Sequence, residues 1–217
     1  MRQSIGKTVG NRRDYTMQFP EFFDAAPRIV VRDPLARFLG AASDGVIEYQ
    51  YADVVKLAGH SCPTVASAYL MTRGALTALY PDTLPVRGEI RVELRDDRAA
   101  GATGVIANVA SFLTGATSDT GFKGIGNRFD RRNLLFFGVD ITEQLRFTRI
   151  DSGAAVTVST RLDRVPADAR VAQLLPKCLN GVASTEETAV FQRLWQGRVR
   201  TLLLDCADDP ETIVVQH

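Results

Sequence analysis

Apolar positions recur along this chain with two periods, three to four residues in some stretches and two in others. Helical spacing first follows Asp33-Pro34, where a helix-capping residue precedes a proline suited to the first helical position. Leu35, Phe38 and Leu39 then fall on one face. A brief β-like stretch is predicted over 45–50. A helix is predicted over 51–58, with Val54, Val55 and Ala58 at helical spacing and Gly59 as its stop. The next helix begins almost at once and runs over 63–80 on Val65, Ala66, Tyr69, Leu70 and Leu76, until Pro81 ends it. Its small residues, Ala66, Ser67, Ala68, Gly74 and Ala75, predict that something packs closely against it.

Strict alternation over 89–95 predicts a strand with one wet face. A short buried helix is expected over 104–113, then a long glycine-containing loop over 114–133 and an apolar strand over 134–139. Segments 145–150 and 155–162 read as a β-hairpin around Asp151-Ser152-Gly153. Residues 169–175 form a helical stretch that Pro176 is expected to stop. Ser184-Thr185-Glu186-Glu187 is a capping box opening a helix to about Leu204, with Val190, Leu194 and Val199 on its apolar side. A last strand is predicted over 212–215. Strands and helices do not alternate, and the hairpin argues against a wholly parallel sheet. The pattern therefore predicts an α+β fold, a mixed or antiparallel sheet packed with helices.

The chain has 217 residues, enough to bury a core without disulfide staples. It reads as a polar arm over 1–18 and one domain over 19–217 with a C-terminal helical extension. A net charge of +1 creates no long-range field, so nucleic acid is not an expected partner. The dense arginines at Arg128–Arg132 and Arg193–Arg200 read as solvated faces. Three widely spaced cysteines, Cys62, Cys178 and Cys206, suit a reducing compartment. The polar, basic start has no apolar signal region and no stretch is long enough to span a bilayer, so the expectation is a cytoplasmic protein without a membrane partner.

The chemistry concentrates at Gly59-His60-Ser61-Cys62-Pro63. Pro63 suits the first position of the second helix and makes Cys62 its N-cap, where free backbone N–H groups and the helix dipole favour negative charge on the sulfur. His60 stands two residues away and can reach the same point. An imidazole and a thiol that converge there make either a metal site or a nucleophile–base pair.

Leu57-Ala58-Gly59-His60-Ser61-Cys62-Pro63, running into Ala68-Tyr69, resembles the H-G-H-x-C-P-G...G-Y signature of the FmdE-like family of formylmethanofuran dehydrogenase components. The resemblance continues through the strand at 90–93, Thr114-Gly115-Ala116-Thr117 as its T-G-C-T turn, Lys123-Gly124 with Gly126-Asn127 as its G-K-G-N loop, and Leu134-Leu135-Phe136-Phe137 as its apolar strand. It covers roughly residues 50–140. Ala58 stands where the family has its first histidine and Ala116 where it has the turn cysteine. The cysteine and aspartate of its second motif fall near Val105 and Asn108, and its cysteine-rich zinc module has no counterpart here. The resemblance implies an α+β scaffold, a metal near His60 and Cys62, a dimer, and an accessory or stand-alone role beside metallo-oxidoreductases.

Imidazole and thiolate suit zinc, with iron, nickel or copper as alternatives. Two ligands do not close a tetrahedral site. Cys178, read as a loop residue after Pro176, is the first candidate for a third, and Asp119 the next; Cys206 reads as structural and His217 as terminal. Lys123, Gly124 and Arg128 lie in a glycine-rich stretch with the composition of an anion cradle, although neither a P-loop nor a dinucleotide fingerprint is present. It is expected to form a lid or wall beside His60 and Cys62 that binds a carboxylate or phosphate of a small molecule. Three functions follow: a zinc-binding protein of the FmdE type, a small-molecule enzyme using zinc-bound water or the Cys62 thiolate, or a purely structural partner. The small-residue face at 63–80 and the polar arm suit a homodimer.

Overall fold

The computed structural model describes residues 18–217, so all but the last residue of the arm expected over 1–18 lies outside the described residues. A short 3₁₀ turn at Glu21–Phe23 leads into strand β1 (Ile29–Arg32) and helix α1 (Pro34–Phe38). Strand β2 (Val46–Tyr49) pairs antiparallel with β1 as a separate ribbon, with Ile29 opposite Tyr49. Helices α2 (Tyr51–Ala58) and α3 (Pro63–Leu79) follow, then β3 (Ile90–Leu94), α4 (Thr103–Thr114) and the two-residue strand β4 (Leu135–Phe136). The hairpin β5 (Leu145–Arg149) and β6 (Ala155–Thr160) turns at Gly153, whose φ of 72° needs a residue without Cβ. Helices α5 (Ala169–Leu179) and α6 (Thr185–Arg200) form a helical hairpin, and a π turn at Thr201–Asp205 connects to β7 (Ile213–Gln216).

The main sheet has the order β4-β3-β5-β6-β7. Within it β3 and β4 run parallel, and the other neighbours are antiparallel. The fold is α+β, with this mixed sheet packed against helices. Helix α3 is its central member. Val65, Ala66, Ala68, Tyr69, Leu70, Met71, Ala75 and Leu76 are all buried, so it is covered on nearly every side. Its small residues serve the chain's own packing: a Cβ on Gly74 would lie 3.1 Å from Val215 of β7, and α4 and β6 pack on the same helix. Among the described residues no helix is long and apolar enough to cross a membrane.

Four expectations change on folding. The apolar face of α1 is not buried: Phe38 and Leu39 are 57% and 60% exposed. Pro176 lies inside α5 instead of stopping it. A proline inside a helix costs about 3 kcal/mol. Packing of the amphipathic helix α5 against α6, with Lys177 bonded to Glu187, offsets that cost. The wet face expected on 89–95 is wet only in part, because Glu93 lies opposite Arg146 of β5 and receives two bonds of 2.7 Å from it. The strand expected over 134–139 shrinks to two residues between Asn133 at φ 56° and Gly138 at φ 66°. Its first amides turn aside: Leu134 N and Leu135 N both donate to Thr117 O.

Candidate functional site

The His60–Pro63 corner is built by local rules. Gly59 takes φ 74°, a left-handed geometry that glycine adopts without penalty, and its N–H closes α2 on Val55 O at 2.9 Å. Cys62 is extended at φ −149° and caps α3: its Sγ accepts the Val65 N–H at 3.5 Å, and Pro63 occupies the first turn, where its missing N–H is not needed. His60 is exposed, with Nδ1 at 3.0 Å from Ala58 O. A carbonyl can only accept, so this contact puts the proton on Nδ1. The lone pair of the neutral ring is then on Nε2.

Ser61, between them, is the anchored residue. Its Oγ donates to Gln196 Oε1 at 3.0 Å and lies 3.1 Å from the Tyr51 hydroxyl, which therefore donates to it. Its carbonyl accepts from Trp195 Nε1 at 3.1 Å and from Gln196 Nε2 at 3.2 Å. Gln196 thus reads both the side chain and the backbone of Ser61 with one amide. Burial pushes the Tyr51 phenol well above its ordinary value, so Tyr51 stays a donor at every physiological pH. Two sequence-distant regions, the α2–α3 corner and α6, are locked together by these bonds.

Beside this lock lies a cleft of about 720 Å³, within the range of small-molecule sites. One wall is Phe19, Phe23 and Val55, where Phe19 stacks on Phe23 at 5.4 Å and Phe23 meets Tyr51 edge-on at 4.8 Å. The other is the helical hairpin: Leu175 and Leu179 of α5, and Phe191 and Trp195 of α6 with ring centroids 5.6 Å apart. Polar groups are few and sit together: His60, Ser61, Gln192 and Gln196. The arrangement can hold an apolar body and offer it one imidazole acceptor and amide groups.

The other sequence-derived candidates are dispersed. Cys62, Cys178 and Cys206 are all free thiols and half-buried. Cys178 lies on helix α5, because that helix continues through Pro176, and not on the expected loop. Asp119 is exposed in the glycine loop, and His217 borders a different cavity with Arg73 and Gly74. Among the described residues no group of three or more His, Cys, Asp or Glu side chains could hold a metal ion. His60, Cys62 and Cys178 therefore do not form such a group among the described residues.

The glycine-rich loop does not wall this cleft: Lys123, Gly124 and Arg128 are not among its lining. Ile125 and Arg128 exchange both backbone bonds, at 2.9 and 3.0 Å, around Gly126 and Asn127 with positive φ, which makes a tight hairpin. Of the amides in this stretch, those of Ile125 and Arg128 are committed to that pairing, and Arg131 N donates to Phe122 O. The tip carries Arg128 over the Phe129 ring at 4.7 Å, and Phe129 leans on Phe38.

A second polar centre holds the base of this loop. Asp33 is 3% exposed, and its carboxylate accepts from Leu35 N, Ala36 N, Arg87 Nη1 at 2.9 Å and Arg131 Nη2 at 2.7 Å. Burial pushes this carboxyl up, but the bonds from Arg131, the Ala36 N–H and Arg87 outweigh it and hold the group below its ordinary value. Sequence reasoning identified Asp33 only as a cap. It also missed Phe191, Trp195 and Gln196. The signal for the first two was their i, i+4 spacing, a second apolar pair beside Val190, Leu194 and Val199.

No protein-family model matches the chain, and no curated protein matches it.

Proposed function

We propose that the protein binds a small, largely apolar molecule in the cleft between the His60–Ser61 corner and helices α5 and α6, with His60 Nε2 meeting the ligand's polar group. The observation that carries this is the locked Ser61–Gln196 pair, with His60 next in the chain, in a cleft wall that is otherwise largely apolar. Such a site orients a ligand by its polar end and holds it by apolar contact. In a neutral ring with its proton on Nδ1, Nε2 can accept a proton from a bound substrate, so the same geometry serves a base if turnover occurs.

The test uses Trp195, the one tryptophan of the chain, which lies in the cleft wall. Titration with the fluorescent naphthalene dye 1-anilinonaphthalene-8-sulfonate is expected to give saturable energy transfer from Trp195 at one dye per chain. Phe191→Asp is expected to abolish it. Transfer that never saturates, or that survives Phe191→Asp in a folded variant, overturns the reading.

Zinc held by His60 and Cys62, as the resemblance to the FmdE-like family implies, is the competing reading. The Nδ1 bond to Ala58 O is of the kind that orients a ligating histidine. It would need further ligands from outside the described residues. An equivalent of zinc that copurifies with untagged protein and is lost in His60→Ala would favour it over the cleft. The exposed Leu179 and Val182 at the end of the α5–α6 hairpin are where we place the homodimer contact expected from the sequence. Sedimentation of Leu179→Glu as a monomer, against a dimeric wild type, supports that placement; a wild-type monomer removes it.

A further inference from the structure

The two arginine-dense stretches resolve differently. Arg131 and Arg132 of the first meet carboxylates: Arg131 bonds Asp33 and Arg132 bonds Asp130. Residues 193–198 of α6 instead border a second cavity of about 490 Å³, lined by Arg164, Arg193 and Arg198 together with Val165, Leu194 and Thr201. Arg198 is half-buried. Its Nε donates to Val165 O at 2.6 Å and its Nη2 to Leu162 O at 3.0 Å. These carbonyls aim the guanidinium but do not neutralise it, and Nη1 has no hydrogen-bond partner among the described residues. Arg164 approaches Glu211 only at 3.7 Å, and Arg193 makes no ion pair among the described residues. The one carboxylate in the cavity wall, Asp168, is committed to both the side chain and the N–H of Arg170. Arg193 and Arg198 thus border one cavity without an ion pair among the described residues, and Arg164, beside them, holds Glu211 only at a distance longer than a hydrogen bond.

We propose that this cavity binds a small phosphate monoester, with the phosphate on Arg164, Arg193 and Arg198 and the organic group against Val165 and Leu194. A phosphate presents three terminal oxygens to three donors, whereas a carboxylate presents two. The site is separate from the cleft at His60, and neither reading depends on the other.

Phenyl phosphate is the probe and benzoate its carboxylate counterpart, titrated by calorimetry and by the arginine Nε–H signals of the full chain at low ionic strength. The expected result is saturable binding at one phenyl phosphate per chain, a shift of the Arg198 Nε–H signal, and weaker binding of benzoate. Arg193→Gln and Arg164→Gln are each expected to weaken phenyl phosphate about tenfold. Salt is expected to weaken it further. Arg28→Gln, which removes the exposed pair with Glu48, is expected to leave it unchanged. Arg198→Gln would also strip Leu162 and Val165 of their donor, so the test rests on the other two. Absence of saturable binding, an affinity unchanged in both variants, or benzoate binding as tightly as phenyl phosphate overturns the proposal.

Discussion

Asp33-Pro34 and Cys62-Pro63 are the same local device, a capping residue followed by proline at the start of a helix, and the fold uses them in opposite ways. The Asp33 carboxylate is buried and receives four bonds, two from its own helix and two from arginines 54 and 98 residues away. The Cys62 sulfur takes one long bond from Val65 N, next to an exposed histidine and close to an open cleft. What separates them is long-range charge. Asp33 fixes architecture because two guanidinium groups reach it, and the Cys62 corner is left available because only the neutral side chains of α6 do, through Ser61.

The largest effect that would break this comparison is at Asp33. Asp33→Asn keeps a capping side chain but leaves Arg87 and Arg131 without their counter-charge, and is expected to cost about 3–5 kcal/mol in urea unfolding. Cys62→Ser replaces a weak cap by a stronger one and is expected to change stability by less than about 1 kcal/mol. Equal losses would mean that the two helix starts do the same work. The charge at Asp33 also gives a pH signature. Asp33 and Glu93 are both held below their ordinary values of 3.8 and 4.5, Glu93 chiefly by its bonds from Arg146. A carboxyl depressed in the folded state contributes stability that is complete above its unfolded value and disappears as pH falls through its folded value. Stability is therefore expected to decline below about pH 4.5. The decline should be shallower in Asp33→Asn, as acid titration followed by circular dichroism would show.

Two left-handed glycines sharpen the same contrast. A Cβ on Gly124 would run into Arg128 O, whereas nothing lies within 4 Å of one on Gly59. Gly124→Ala is expected to cost about 2–5 kcal/mol, strain and overlap together. Gly59→Ala should cost about 1–2 kcal/mol, from strain alone. Thermal unfolding of both variants checks the order. The smallest expected effect on stability is that of His60→Ala, which should leave the urea midpoint unchanged while weakening cleft ligands that carry a hydrogen-bond donor.

Much of the fold was readable because its signals are local. The helices at 51–58 and 63–80 follow from Gly59, Cys62-Pro63 and Pro81, all within a few residues of the ends that they set. The capping box at Ser184 likewise forms as read, with Glu187 closing on Ser184 N at 2.9 Å. The cleft was not readable for two physical reasons. Its helical wall requires α5 to continue through a proline, which packing against α6 supports, and its lock joins Ser61 to residues 134 and 135 positions later. The Asp33 centre was hidden in the same way, since no local pattern marks which arginine a buried carboxylate meets. Lys123, Gly124 and Arg128 do not wall the cleft as expected, because the stretch closes into a hairpin of its own between Ile125 and Arg128.

The indole N–H of Trp195 tests the central claim most directly, since it bonds Ser61 O and lies in the cleft wall. In a ¹H–¹⁵N spectrum of full-length protein titrated with the naphthalene dye, its single resonance is expected to shift and saturate at one equivalent, together with the Gln196 side-chain amide. An unmoved indole signal, with perturbation confined to the exposed Phe38–Phe129 surface or to the arginine-lined cavity, would contradict the account.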